Sequence, residues 1–314
     1  MDKKIGQPKA NPKDLPVCDF TIYDDAIQQF SDAIFRHLGV FITPVANGVI
    51  HRVDDPDGRP GNLACWYVCH LDGVPTCTFG NWRTGERCSQ STGGSYSGVA
   101  ARGLRVDAIA RNNRRKAARL SAQEQAKLKA KAMWESAPPA TVYHPYLAKK
   151  SVPALNVREQ GGWLLVPLYD TSGELVNIQR IDRNGNKRFL KDGRITGCFG
   201  LVGAPALPES GRLYIAEGWA TAATIHGQTR CPVAAAMNCG NLKPTALALH
   251  AILPDIDLIV AADNDHRTPA NPGMAKATEA AQAVGGGLVW PQRCNHACTC
   301  TDFNDVANCR EGKS

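Results

Sequence analysis

Apolar positions follow two regimes along this chain. From residue 212 onward, short unbroken apolar runs alternate with stretches of helical spacing. Leu213-Tyr-Ile-Ala216 and Leu258-Ile-Val-Ala-Ala262 carry no polar interruption. A strand with one wet face alternates apolar and polar, so unbroken runs predict parallel strands buried on both faces. Strands are expected at 212–216, 232–236, 258–262 and 287–290, and helices at about 219–227, 243–251 and 273–284. That alternation predicts a small parallel sheet with helices on both faces.

Before residue 207 the pattern is more broken. Ile22, Ile27, Phe30, Ile34 and Leu38 form a helical stripe over 20–38. Residues 49–90 read as short strands separated by Asp54-Asp-Pro-Asp-Gly58 and Leu71-Asp-Gly73, a small antiparallel sheet. Residues 105–136 predict a long helix with little apolar periodicity, ended by Pro138-Pro139. It reads either as a basic rail for nucleic acid or as a solvated tether. His144-Pro-Tyr-Leu147 opens the next unit. Trp163–Tyr169 and Leu175–Arg180 then predict two strands joined at Asp170-Thr-Ser-Gly173. The expected organisation is an α+β module at 1–104, a basic helical linker at 105–137, a mixed β-rich basic subdomain at 138–206 and the α/β unit at 207–314.

The apolar runs matter for how they end. The first stops at Glu217-Gly218 and the second at Asp263-Asn264-Asp265. In open α/β sheets the chemistry sits at the carboxyl ends of the strands. One glutamate and two aspartates are therefore expected to converge, and crowded carboxylates repel one another unless a cation neutralises them. Hard oxygen donors select Mg²⁺ or Mn²⁺. Such a layout suits metal-dependent phosphoryl transfer.

Glu-Gly after one strand and Asp-x-Asp after a later one resemble the Toprim domain, shared by bacterial-type primases, topoisomerases and some nucleases. The resemblance implies that Glu217 is a general acid or base and that Asp263 and Asp265 hold metal. Asp302-Phe-Asn-Asp305, after the last strand, is similar to an acidic segment of primases. It implies a further metal contact from Asp302 or Asp305, with Asp305 placed in the metal set. A helix cap is the other reading of that segment.

Gln179-Arg180-Ile-Asp-Arg183-Asn-Gly-Asn-Lys187-Arg188-Phe-Leu-Lys191 predicts a strand, an Asn-Gly turn and a basic strand. Alternation puts Lys187, Phe189 and Lys191 on one face and Arg188 opposite. The stretch resembles the basic subdomain before Toprim in phage and plasmid primases, a unit that topoisomerases lack there. Arg180, Lys187 and Lys191 are the expected contacts to template or triphosphate. Lys276, one turn inside the helix after Asn271-Pro-Gly273, is a further nucleotide candidate. Asn238-Cys-Gly240-Asn241 also falls at the carboxyl edge of the sheet.

In the N-terminal module, Arg52, Trp82 and Arg83 are candidates for single-stranded DNA, where aromatics stack on bases and cations meet phosphates. Twelve cysteines form two groups. Cys65, Cys69, Cys77 and Cys88, beside His70, read mainly as small buried hydrophobes. Cys294, Cys298, Cys300 and Cys309, beside His296, are the stronger zinc candidates, though neither group shows paired Cys-x2-Cys knuckles. Disulfides are not expected where no secretory signal is visible.

A net charge of +7 over 314 residues is consistent with a polyanionic partner. No apolar run spans a bilayer, so a cytoplasmic protein without membrane contact is expected. The resemblance as a whole implies a plasmid- or phage-type DNA primase that copies single-stranded DNA from NTPs. Gly312-Lys-Ser314 only mimics a phosphate loop, so unwinding is expected from a separate replicative helicase. Two alternatives remain: a Toprim nuclease, and a non-catalytic protein that binds single strands or loads a replisome.

Overall fold

The structure is a computed structural model that describes residues 20–71, 74–92, 98–292 and 298–309. It divides into two compact units, Met1–Arg115 and Lys116–Ser314.

In the first unit, α1 (Phe20–Leu38) lies on an antiparallel sheet of β1 (His51–Val53), β2 (Cys65–His70), β3 (Thr76–Asn81) and β4 (Arg87–Ser91). Ala26, Phe30, Ala33, Ile34 and Leu38 recur at helical spacing and are buried against Cys65, Tyr67, Cys69, Cys77 and Phe79. The β2–β3 register sets Cys69 directly opposite Cys77, with Cα atoms 4.1 Å apart, and the two form a disulfide. That corrects the expectation of separate buried thiols. Parity places Cys65 and Cys69 on one face, but only the pairing of strands shows which cysteine each one meets. Cys65 stays a buried thiol opposite Asn81.

In the second unit, the C-terminal half of α2 (Gly98–Ser136) packs on an antiparallel sheet. That sheet runs β5 (Arg158–Gln160), β6 (Trp163–Tyr169), β7 (Leu175–Ile181) and β8 (Lys187–Phe189) in order. The buried stripe of α2 is built from Ala126, Ala130, Met133 and Trp134, so its apolar signal is weak. Glu174 at the β6–β7 turn binds Lys127 at 2.8 Å and Lys131 at 3.0 Å. Lys116 and Arg119 are exposed. The short helix α3 (Pro145–Lys150) is capped by buried His144, whose ring accepts from the Tyr146 amide.

The rest of the unit is the α/β layer. Its strands are β9 (Gly200–Val202), β10 (Arg212–Ala216), β11 (Val233–Ala235), β12 (Asp257–Ala261) and β13 (Gly287–Val289). They lie in the order β13-β12-β10-β11-β9, parallel except for β9. Between them run α4 (Trp219–Thr229), α5 (Leu242–Ile252) and α6 (Pro272–Val284), and α7 (Phe303–Ala307) follows. Helices α5 and α6 cover one face through Leu242, Ala246, Leu249, Ala277 and Ala280. Helix α4 covers the other. Its Trp219, Ala222 and Ile225 share a core with Leu164, Val166, Leu168 and Ile181 of the antiparallel sheet. Each large aliphatic side chain fully buried there contributes about 1.5–3 kcal/mol. No described helix is long and apolar enough to cross a membrane.

Candidate functional site

Strands β10 and β12 are neighbours in register, with Ala216 beside Ala261. Glu217 follows β10 directly and Asp263 lies two residues beyond the end of β12, so both fall at the carboxyl edge of the sheet. Gly218 is the N-cap of α4, so the chain turns away as soon as Glu217 is placed. After β12 the loop is held at several points. The Ala262 amide donates to Val289 O at 2.8 Å, and the Asn264 amide to Thr301 O at 2.7 Å. Asn264 Oδ1 accepts from Asn271 Nδ2 at 2.9 Å. Asp265 Oδ2 accepts from the Gly273 amide at 3.1 Å, in the first turn of α6.

The carboxylates act on one another's charge. Burial pushes Asp263 up to about 8, reinforced by repulsion from Glu217, Asp302 and Asp265 and eased by Lys187. Burial also raises Glu217, with Asp265 repelling it, while Lys187 and the Cys239 amide hold it down. Asp263 Oδ1 is buried with no hydrogen-bond partner. A buried carboxylate oxygen left bare costs stability unless something binds it. Among the described residues, Glu217, Asp263 and Asp265 do not draw one oxygen each to within 4.8 Å of all the others. Oxygen-only donors, a bare buried oxygen and mutual repulsion all fit a hard divalent cation.

The remaining candidates fall in several places. Asp302 is the N-cap of α7, accepting from the Asp305 amide at 2.7 Å, and it also raises the pKa of Asp263, Glu217 and Tyr146. One carboxylate thus serves as both cap and member of the acidic group. Asp305 instead pairs with Lys150 at 3.3 Å and faces Thr301. Lys187 lies next to Gly218 and feels Glu217, Asp302 and Asp263. Its surroundings and Lys150 together lower its pKa.

Arg180 is not beside Lys187. The β7–β8 register pairs Arg180 with Arg188 and Ile181 with Lys187, so the two cations point to opposite faces. Arg180 stacks over Trp163 at 5.3 Å. Lys191 lies beyond β8 and is exposed. Lys276 pairs with Glu279 at 3.2 Å on the outer side of α6.

In the first unit, Arg52 lies 5.9 Å over the ring of Trp82, which stacks on Trp66 at 5.2 Å. Arg83 is held by buried Asp55 at 3.0 Å. Cys294 and His296, like Gly312-Lys-Ser314, lie outside the described residues.

Two parts of the site have only a faint sequence signal. The Cys239 amide reaches Glu217 because Asn241 anchors the turn behind it. Buried Asn241 donates to Cys198 O at 2.9 Å and Ala236 O at 2.8 Å, and accepts from the Gly197 amide at 2.8 Å. Lys150, at the end of α3, reaches the site from more than a hundred residues away in sequence, and no local spacing announces it.

Residues 212–314 match the Toprim domain family. The chain is 33% identical over 277 residues to a DNA primase TraC of Escherichia coli, covering 84% of this chain and 26% of the relative. A second DNA primase TraC of Escherichia coli is 34% identical over 280 residues, covering 84% of this chain and 19% of the relative. The chain thus spans about a quarter or less of the length of these relatives. Among solved structures, the primase fragment of the bacteriophage T7 primase-helicase protein matches with a TM-score of 0.39 and 18% identity, over 51% of this chain and 68% of that one.

Proposed function

We propose that this chain, whose residues 212–314 form a Toprim domain, is a primase that copies single-stranded DNA into short primers during plasmid or phage replication. The observation that carries the reading is the meeting of Glu217 and Asp263 just past the ends of adjacent parallel strands, where Glu217 pushes up the pKa of Asp263 and Asp263 keeps a bare buried oxygen. Similarity to DNA primase TraC over 84% of the chain supports primer synthesis over the other Toprim chemistries.

In this reading Asp263, Asp265, Asp302 and Glu217 hold one or two Mg²⁺ or Mn²⁺ ions. When bound, the metal neutralises triphosphate charge and polarises the phosphoryl oxygens. The 3′-hydroxyl of the growing strand attacks the α-phosphorus of an incoming NTP, and pyrophosphate leaves. Glu217 takes the hydroxyl proton. Lys187 meets the phosphates at the mouth of the acidic group. Arg188 and Lys191 steer the template, and Lys150 fixes Asp305 and with it α7. The catalytic unit is 207–314, with 138–206 as its basic subdomain and 105–137 as a helical linker. The 1–104 module receives single-stranded DNA through Trp82 and Arg52. A replicative helicase supplies unwinding, and the complex works in the cytoplasm.

The test is template-dependent labelling with single-stranded DNA, labelled NTPs and Mg²⁺ or Mn²⁺, beside Asp263→Asn. Short products that need template and vanish in the variant support the reading. Metal-dependent loss of template without products would replace it with a nuclease, and tight binding with neither would leave a loading protein.

A further inference from the structure

We propose that Cys298, Cys300 and Cys309 hold a zinc ion that clips together the two ends of α7. One sulfur from each lies within 4.8 Å of the other two, and the Cys298 and Cys309 sulfurs are 4.0 Å apart. A tetrahedral site with Zn–S bonds of about 2.3 Å sets neighbouring sulfurs about 3.8 Å apart. Sulfur donors select zinc over the hard cations suited to the acidic group. Cys298 is buried at 2% exposure. Cys300 and Cys309 border a cavity of about 470 Å³ whose other walls include Lys149 and Lys150. Each thiol gives up its proton as its Zn–S bond forms, so the three-thiolate centre carries one net negative charge beside those lysines. One tetrahedral position remains for a fourth donor.

The placement gives this ion a task. Cys298 and Cys300 precede α7, and Cys309 follows it. Between them lie Thr301, whose carbonyl accepts from the Asn264 amide, and Asp302, which faces Asp263 and Glu217. A helix of five residues has little stability alone. Its other ties include the Lys150–Asp305 ion pair, Asn304 and Asn308, which both donate to Lys150 O, and Asn304 again, which donates to Thr224 Oγ1. A metal bond across its ends would fix Asp302 in the acidic group. That consequence rests on the proposed function, whereas metal occupancy does not.

The test is zinc content of the full chain purified under reducing conditions, beside Cys300→Ser, Cys309→Ser and, as a control outside the cluster, Cys231→Ser. About one zinc per chain is expected, as for a structural site. It should be lost in the first two variants and retained in the control. Cobalt exchanged into the wild-type protein should show thiolate-to-metal charge-transfer absorption, which decides the matter if the variants fail to fold. A folded, reduced wild-type protein without zinc and without that absorption would overturn the proposal. So would zinc that survives both substitutions, or a Cys298–Cys309 disulfide that persists under reduction. Primer synthesis enters none of these readouts, so the failure of one reading is separable from failure of the other.

Discussion

Gly273 supports Asp265 from below: its amide hydrogen bonds Oδ2 at 3.1 Å, and there is no room between them for a methyl group. A Cβ at Gly273 would stand 2.7 Å from Asp263 O and 2.8 Å from Asp265 Oδ2. Gly273→Ala therefore displaces both aspartates at once. Overpacking of this kind costs about 1–3 kcal/mol. Loss of a group that orients a ligand typically weakens metal binding about 10–100-fold. Calorimetric titration with Mn²⁺ and urea denaturation measure the two effects, and an unchanged metal affinity would refute the account.

Asp263 makes metal binding depend on pH. Its folded value, about 8, lies above the ordinary 3.8. The folded metal-free protein therefore keeps a proton that the unfolded chain has released. Stability without metal falls as pH rises between those values and levels off above the higher one. Metal displaces the proton, so affinity rises toward pH 8, and about one proton leaves this group per binding event near pH 7. Titrations in two buffers of different ionisation enthalpy should give different heats, a difference that Asp263→Asn removes. Equal heats for the wild-type protein would contradict this.

Lys187 and Arg180 should behave unlike each other. Lys187→Met removes the cation beside Gly218 and is expected to raise the KM for NTP about tenfold or more, given the worth of a charge-assisted phosphate contact. Arg180→Met removes a guanidinium packed on Trp163 and should act mainly on stability. Steady-state kinetics and thermal melts of both variants separate the roles. Parallel kinetic losses would mean that the two cations share one site after all.

Asn241→Ala leaves the Gly197 amide and the Ala236 carbonyl without their side-chain partner, and leaves Cys198 O with Thr245 Oγ1 alone. Buried groups stranded in this way cost about 1–3 kcal/mol each. A total loss of roughly 2–5 kcal/mol is expected by urea denaturation. A loss under 1 kcal/mol would show that water replaces the amide freely.

In the first unit, Trp82 is 55% exposed and backed by Trp66 and Arg52, a platform on which a base can stack. Trp82→Ala should weaken single-stranded DNA binding by about 1–3 kcal/mol in fluorescence anisotropy. Arg83→Ala should instead lower the melting temperature, because Arg83 is committed to Asp55. Unaltered DNA affinity in Trp82→Ala would remove the platform from the binding surface.

The strands β10 and β12 and their terminal acids were legible because most of each strand is buried, which writes an unbroken apolar run into the chain. The predicted strand 258–262 lies within a residue of β12, Asp257–Ala261. Pairing between strands was not legible. Alternation sorted Lys187 from Arg188 within β8, but nothing local showed that Arg180 would stand opposite Arg188 or that Cys69 would meet Cys77. The docking face of α2 also stayed hidden, since alanines bury area without raising the apolar signal. Asn271-Pro-Gly273 was readable as a helix start, and Asn271 does accept from the Met274 amide. That its glycine must also clear Asp263 and Asp265 is a fact of packing alone.

Helix α4 has two customers. Its Trp219, Ala222 and Ile225 face Leu164, Val166 and Ile181 on one side and the parallel sheet on the other. The stretch that matches Toprim therefore cannot be cut free at residue 212 without baring an oily seam. A fragment that starts there should clump, whereas one that begins ahead of Ala137 keeps both sheets on the helix. The same seam makes the basic hairpin and the acidic edge one mechanical piece, since both sheets rest on α4.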